Sequence, residues 1–245
     1  MNNSAIIFAG PSLTRRDRET FPQMQFMPPV GRGDVLRLLK NNRPPRFIGI
    51  VDGFFGSRPG VLHKEILEAL SAGCHVYGAA SMGALRASEL STYGMIGIGE
   101  VFEAYHDGRL ESDAEVAVNH GPAELGYPAL NVAQVDVDAT LDALRNRGML
   151  TAFEVQRLSE KSRKIYYPKR TWSKVAAEGS TDQSAAEKLQ TLLAQAHVQR
   201  KRLDAIAMLN RISKDKTREL PAISQSFAPP LTPSYKRMRR AVFEP

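Results

Sequence analysis

The chain of 245 residues is 42% hydrophobic and 24% charged, an average globular composition that excludes wholesale disorder, a collagen repeat and a long coiled coil. Its one cysteine, Cys74, excludes internal disulfides and multi-thiolate metal sites, and it favours a reducing compartment. The net charge of +7 is unevenly spread, because residues 1–150 carry 14 Lys and Arg against 17 Asp and Glu (−3) while residues 151–245 carry 19 against 9 (+10).

The first 90 residues alternate between short apolar runs and helical patterns. In chain order they predict a strand at 5–9, a helix that Asp34 caps, a strand at 46–51, a helix that begins at Pro59, a strand at 74–79 and a helix at 82–90. Units of about 30 residues with wholly apolar strands are typical of right-handed crossovers in a parallel sheet covered on both faces. We therefore predict an α/β fold, a parallel-sheet core with crossover helices, followed by a basic helical C-terminal extension.

Beyond residue 90 the sequence becomes more polar and finally basic. It predicts a short strand at 115–118, helices at 132–144, 152–163 and 184–202 with a continuation to 212, and a proline-rich tail that ends in basic residues. We predict an α/β core domain at 1–148, a basic helical region at 149–220 and a Pro-rich basic tail at 221–245, extended or mobile. The basic helices predict solvated surfaces, with a protein-docking surface and RNA contact as the alternatives.

Several kinds of site and location are not expected. No apolar run approaches the roughly 18 to 20 residues of a membrane span, and the N-terminus lacks the basic segment of a signal peptide. No cluster of His, Asp and Cys predicts a metal, and we expect no cofactor. The chain is therefore expected to be cytoplasmic, without a membrane partner, and nucleic acid is not the expected partner.

Three turns follow the carboxyl ends of the predicted strands. In an open parallel sheet, ligands bind just beyond those ends. The turns are Gly10-Pro11-Ser12, Asp52-Gly53 and Ala80-Ser81-Met82-Gly83. We expect them to meet at one edge of the sheet and to form a substrate-binding surface there.

Ser81 is the sharpest candidate for chemistry. The segment Ala79–Gly83 joins a strand to a helix and matches the nucleophile elbow G-x-S-x-G with Ala in the first place. The new helix would direct unpaired backbone N–H groups to the same spot, where they could hold an oxyanion. The alternative is that Ser81 only caps this helix.

A nucleophilic serine needs a base, and three residues qualify. His63, Lys64 or His120 could accept the serine proton, with Asp52 orienting the base. The chain order is not that of an α/β-hydrolase, so position does not assign a triad. Each histidine could instead make a surface or structural hydrogen bond.

Two further features predict ordinary structure. The glycines of Gly94-x-x-Gly97-x-Gly99 lack both a clear preceding strand and a following Gly-Lys-Ser/Thr, so we interpret them as loop glycines and not as a phosphate loop. Cys74 opens the third strand, at the end opposite the three turns. It is interpreted as a small buried hydrophobe, with a persulfide carrier as the alternative.

Ordered segments over residues 5–145 resemble the TfuA-like protein family. They are Ile7–Ser12, Pro28–Pro29 with Arg32–Asp34, Gly49–Phe54, His63–Ile66, Gly78–Ala87, Met95–Gly99, Glu115–Val118 and His120–Tyr127. The basic half of the chain carries no part of this resemblance.

The resemblance implies a role as companion of a YcaO-type enzyme. Members of this family, which is named after trifolitoxin biosynthesis, help to convert backbone amides to thioamides in ribosomally made peptides. The implied task is to engage a ThiS-like sulfur carrier and hydrolyse its C-terminal thiocarboxylate, which supplies sulfide to the YcaO enzyme. A non-catalytic adaptor that recruits carrier and enzyme is the alternative, and the precursor peptide is a further candidate partner.

Overall fold

A parallel sheet forms the centre of the N-terminal part of the chain. The structure is a computed structural model that describes residues 2–40, 43–56, 58–220 and 231–244. Its strands are β1 (Asn2–Phe8), β2 (Gln25–Met27), β3 (Pro45–Ile50), β4 (His75–Ala79) and β5 (Ile96–Ile98). Its helices are α1 (Arg15–Glu19), α2 (Asp34–Leu39), α3 (His63–Ser71), α4 (Met82–Leu90), α5 (Glu100–His106), α6 (Gln134–Asn146), α7 (Ala152–Lys164), α8 (Trp172–Gly179), α9 (Gln183–Gln195), α10 (Arg200–Lys216) and α11 (Pro233–Phe243).

Contacts divide the chain into two units. The first unit comprises residues 1–109 and 203–245, and the second unit comprises residues 110–202. In the first unit, the five described strands are ordered β2-β1-β3-β4-β5, and every neighbouring pair is parallel. The predicted α/β fold class, with its helical C-terminal part, is confirmed. The segments 1–148, 149–220 and 221–245 were drawn from composition and stay a prediction.

The two faces of the sheet bury separate apolar clusters. Alternate side chains of a strand point to opposite faces, so Phe8 and Ile50 pack with α3 and α4 on one face while Ile7 and Tyr77 lie on the other. The second face is covered by Ala205, Met208, Leu209 and Ile212, all fully buried on α10. Burial of each large side chain is worth about 1.5–3 kcal/mol, so α10 is a structural part of the core. Its basic sequence had predicted a solvated surface.

Two helices of the first unit begin at other residues than the sequence predicts, α2 one residue earlier and α3 four residues later. Gly33, with φ +86°, takes the cap position of α2, and the Asp34 carboxylate instead accepts a hydrogen bond from the N–H of Gly31 (2.7 Å). The predicted start of α3 at Pro59 is also wrong, because the helix begins at His63. The Pro59 carbonyl accepts the N–H of Arg32 (3.0 Å), which holds Pro59 in the preceding loop.

The C-terminal tail contains a helix where an extended or mobile segment was predicted. Helix α11 begins with Pro233 in its first turn and buries Tyr235. The Arg239 guanidinium lies 3.2 Å from the Glu68 carboxylate on α3. Residues 221–230 of the predicted tail lie outside the described residues.

The second unit is a helical bundle with its own core. Its apolar cluster includes Leu141 and Leu144 of α6, Leu158 of α7 and Leu193 of α9. The helices predicted at 132–144 and 152–163 are confirmed. The strand predicted at 115–118 is wrong, because a single 3-10 turn occupies Asp113–Glu115. The pattern at 184–212 is interrupted, since α9 ends at Gln195 and α10 begins at Arg200. None of the helices in the described ranges is long and apolar enough to cross a membrane.

Candidate active site at the carboxyl edge of the sheet

The strand order reverses direction between β1 and β3, and the Asp52 carboxylate joins the turns that follow these two strands. A crevice outside such a reversal is the usual ligand site of a doubly wound sheet. Asp52 Oδ2 accepts the N–H groups of Gly10 (2.8 Å) and Ser12 (3.0 Å), and Oδ1 accepts the Ser12 hydroxyl (2.7 Å). Asp52 is 2% exposed. The three hydrogen bonds of the carboxylate therefore fix the Gly10-Pro11-Ser12 turn beside β3.

The third turn lies against the second. The Gly83 N–H donates to the Val51 carbonyl (3.2 Å), and the Met82 side chain occupies the space where a Cβ on Gly53 would lie. A Cβ on Gly10 would likewise overlap the ring of Pro29. The structure thus brings together the turn residues selected from the sequence. They pack so closely that a side chain at position 10 or 53 would displace its neighbours.

Ser81 follows a strained backbone turn. Its N–H donates to the carbonyl of Ala79 (2.8 Å), a bond across three residues, and the central residue Ala80 has φ +68°. This is the rare classic γ-turn. A non-glycine residue there costs on the order of 1–3 kcal/mol, and such strain clusters at functional sites. Ser81 takes the N-cap position of α4, but its side chain makes no capping hydrogen bond.

Removing the Asp52 carboxylate should destabilise the whole edge. We expect Asp52→Ala to lower the free energy of unfolding by roughly 3–5 kcal/mol, because it leaves the buried N–H groups of Gly10 and Ser12 without an acceptor. Urea unfolding followed by circular dichroism measures this. The control is Asp142→Ala, whose carboxylate is 55% exposed and pairs with Arg145 at the surface. A loss for Asp52→Ala no larger than that of the control would contradict this role.

The His63 side chain contacts Glu89, near the C-terminal end of α4. Its Nε2 lies 2.8 Å from the Glu89 carboxylate, and Arg86 donates to the same carboxylate (2.6 Å). Glu89 follows Ser81 by eight residues, which is about 12 Å along a helix axis. Burial alone would raise the pKa of Glu89, but the hydrogen bonds from His63 and Arg86 outweigh it and lower that pKa.

The other two candidate bases, Lys64 and His120, also make contacts with other residues. The Lys64 ammonium donates to the Thr232 hydroxyl (3.2 Å) and lies 5.4 Å from the ring centroid of Tyr235. His120 belongs to the second unit, where its Nδ1 lies 2.8 Å from the Gly121 carbonyl oxygen. His63 and Lys64 are thus held by Glu89 and Thr232.

Cys74 has the environment of an inert thiol. It is fully buried, and burial raises the pKa of its thiol to about 11. The thiolate is the reactive form of cysteine. A persulfide relay through Cys74 is therefore disfavoured, in agreement with its interpretation as a buried hydrophobe.

Two residues that support this edge were missed by sequence reasoning. Arg18 donates through Nη2 to the carbonyls of Gly10 (3.0 Å) and Leu13 (3.3 Å), which braces the turn after β1. Asp204 accepts the Val101 N–H (2.8 Å) at the start of α5. Arg18 could have been found from the capping pattern Thr14-x-x-Asp17, which marks α1. No local sequence pattern predicts the role of Asp204, because its partner Val101 lies 103 residues away in the chain.

The glycines at 94–99 are only partly loop glycines. Gly97 lies in β5, where the ring of Phe102 takes the place of a side chain. Gly99, with φ +98°, caps α5 and packs against the Asp204 carboxylate. A carboxylate therefore already occupies the position where a phosphate loop would hold its anion.

The family comparison covers the segments identified in the sequence from residue 52 onward, omits the earlier ones, and extends to residue 171 in the basic half. No curated protein matches the chain. A family model described as TfuA-like protein matches residues 52–171. The matched range contains Asp52, His63, Lys64, Ser81 and His120, and it excludes the turn at Gly10–Ser12. By this match, the chain belongs to the TfuA-like protein family.

Proposed function

We propose that this protein is an accessory protein of ribosomal-peptide thioamidation that hydrolyses the C-terminal thiocarboxylate of a ThiS-like sulfur carrier. The sulfide released would supply a YcaO-type enzyme. Family membership supports the role in thioamidation. The observation that carries the hydrolase proposal is the strained turn that presents Ser81 at the start of α4, beside the reversal between β1 and β3.

The shape of the edge suits a thin substrate. A carrier tail that ends in Gly-Gly has no side chains, so it can approach a surface on which glycine and alanine expose the backbone. Gly53 is partly exposed at this edge, whereas Gly10 is buried beneath the ring of Pro29. We infer that the tail lies across these turns, with its terminal carbonyl carbon at Ser81.

The reaction requires no change of oxidation state. The Ser81 hydroxyl oxygen adds to the carbonyl carbon of the thiocarboxylic acid, and the C–S bond then breaks as sulfide leaves. Water hydrolyses the resulting ester, which restores the serine hydroxyl and leaves the carrier with a carboxylate. If Ser81 acts only by stabilising the oxyanion, water attacks directly and the balance is the same: thiocarboxylic acid and water give carboxylic acid and hydrogen sulfide.

The first turn of α4 would stabilise the oxyanion. The first N–H groups of a helix have no partner within the helix, and the positive end of the helix dipole favours negative charge. The Gly83 N–H is already donated to Val51, so we assign the oxyanion to the N–H groups of Met82 and Ala84.

The base for Ser81 is tested by a side-by-side assay. We propose His63, Lys64 and His120 as candidates, and Asp52 as the group that holds the neighbouring turn. Single-turnover sulfide release is measured for His63→Ala, Lys64→Ala and His120→Ala. Loss of a general base lowers the rate by about 10²–10⁴-fold. A variant that keeps its rate is excluded as the base, and retention in all three would indicate that water or substrate accepts the proton.

The alternative function is a non-catalytic adaptor that recruits the carrier and the YcaO enzyme, and the precursor peptide with them. The contacts of His63 with Glu89 and of Lys64 with Thr232 favour it, because they hold both side chains in other interactions. An adaptor would raise thioamide formation only when all partners are present. It would leave the thiocarboxylate intact when mixed with the carrier alone.

A further inference from the structure

A basic cavity lies in the first unit, between the loops that follow β2 and β3 and the C-terminal helix α11. Its volume is about 790 Å³, within the range of small-molecule sites. Four cationic side chains, Arg32, Arg37, Lys40 and Arg58, line it together with the carboxylate of Asp34. These five groups give a local net charge of +3.

Most of this positive charge is not neutralised by the protein. Arg37 pairs with Asp34. Arg58 lies 4.8 Å from the ring centroid of Phe54, an interaction that leaves its charge in place. Within the described part of the chain, Arg32, Lys40 and Arg58 form no ion pair. Like charges that share a concave surface repel one another and raise the local concentration of an anion.

The cavity also has an apolar wall. The ring of Phe54 faces it from the loop after β3, and Met238 and Val242 face it from α11. A ligand that fills the cavity would therefore combine an anionic group with an apolar or aromatic part.

The backbone amides of the nearby loop are already in use. The Gly31 N–H is donated to Asp34 and the Gly33 N–H to Glu65 (2.8 Å). Recognition would therefore come from side chains, of which three are guanidinium groups. A guanidinium presents a planar fork of donors that matches the oxygens of phosphate, and it keeps its charge at every physiological pH.

We propose that this cavity binds a phosphate-bearing small molecule of about mononucleotide size. The phosphates contact Arg32, Arg58 and Lys40, and the apolar part lies against Phe54 and α11. A small molecule is favoured over an acidic peptide because the site is concave, of small-molecule volume and apolar on one wall. This site is separate from the thiocarboxylate chemistry, and its occupancy does not depend on the proposed function.

Isothermal titration calorimetry of the full chain at fixed salt tests the proposal with ATP, AMP, inorganic phosphate, citrate and a polyglutamate peptide. We expect ATP to bind most tightly and AMP to bind more tightly than inorganic phosphate, because AMP adds contact with the apolar wall. The double variant Arg32→Ala, Arg58→Ala should weaken ATP binding at least about tenfold, since hydrogen bonds to charged groups are lost.

The matched control removes two exposed arginines that do not line the cavity, in the double variant Arg16→Ala, Arg147→Ala. It should change ATP binding less than about threefold, and a loss as large as that of the cavity variant would overturn the proposal. So would the absence of ATP binding, citrate binding as tightly as ATP, or binding of the polyglutamate peptide alone. Because the readout is equilibrium binding, its outcome is independent of any result on sulfide release.

Discussion

Replacing Ser81 with alanine is expected to slow single-turnover sulfide release from a thiocarboxylated carrier by at least about 10²-fold. Loss of one oxyanion-stabilising donor costs about 10²–10³-fold, and loss of a serine nucleophile costs up to about 10⁶-fold. The size of the loss therefore separates the two roles proposed for Ser81. Urea unfolding of Ser81→Ala, measured alongside, separates a loss of chemistry from a loss of folded protein.

The matched control for this experiment is Ser88→Ala. Ser88 lies on the same helix, and its hydroxyl donates to the Leu85 carbonyl (2.8 Å) within that helix. Its removal should leave sulfide release unchanged. Equal rates of sulfide release for the original protein and for Ser81→Ala would exclude Ser81 from the chemistry.

Replacing Gly83 with alanine is expected to lower the free energy of unfolding by about 3 kcal/mol or more. Alanine in the interior of a helix is normally favoured over glycine by about 1 kcal/mol. Here the added Cβ would overlap the Ile50 carbonyl oxygen, a backbone atom of the central strand β3. A backbone carbonyl in a sheet cannot rotate aside as a flexible side chain can, so steric overlap outweighs the helix preference.

Gly108→Ala is the control for Gly83→Ala. Gly108 has φ +72° and nothing within 4 Å of where its Cβ would lie. Its replacement should cost only the left-handed backbone strain, about 1–2 kcal/mol. Thermal and urea unfolding of both variants give the comparison. A Gly83→Ala protein as stable as the original would mean that α4 does not pack so closely on β3.

The parts of the fold that depend on local pattern could be predicted from the sequence. The apolar runs gave β1, β3 and β4 to within a few residues, and α4 was placed at Met82–Leu90, as observed. The turn at Ser81 could be found from the small residues Ala79 and Gly83 that flank it, and the close packing of α4 on the sheet requires glycine at position 83. Local sequence patterns were therefore sufficient to locate the candidate site.

The features that depend on distant pairing could not be predicted. The cover of one sheet face by Met208 and Ile212 joins segments more than 100 residues apart. The basic residues elsewhere on α10 conceal its apolar stripe in the sequence. The three bonds of Asp52 to Gly10 and Ser12 were missed for the same reason, since strand order decides which turns are neighbours. The side-chain partners of His63 and Lys64 depend on how α4 and α11 lie against α3.

The most direct test is the mass of a thiocarboxylated ThiS-like carrier after incubation with this protein alone, without a YcaO enzyme, ATP or precursor peptide. We predict that the carrier exchanges one sulfur for one oxygen and that an equal amount of sulfide appears in solution. A carrier whose C-terminal thiocarboxylate is unchanged, at a protein concentration that binds it, would contradict the hydrolase function.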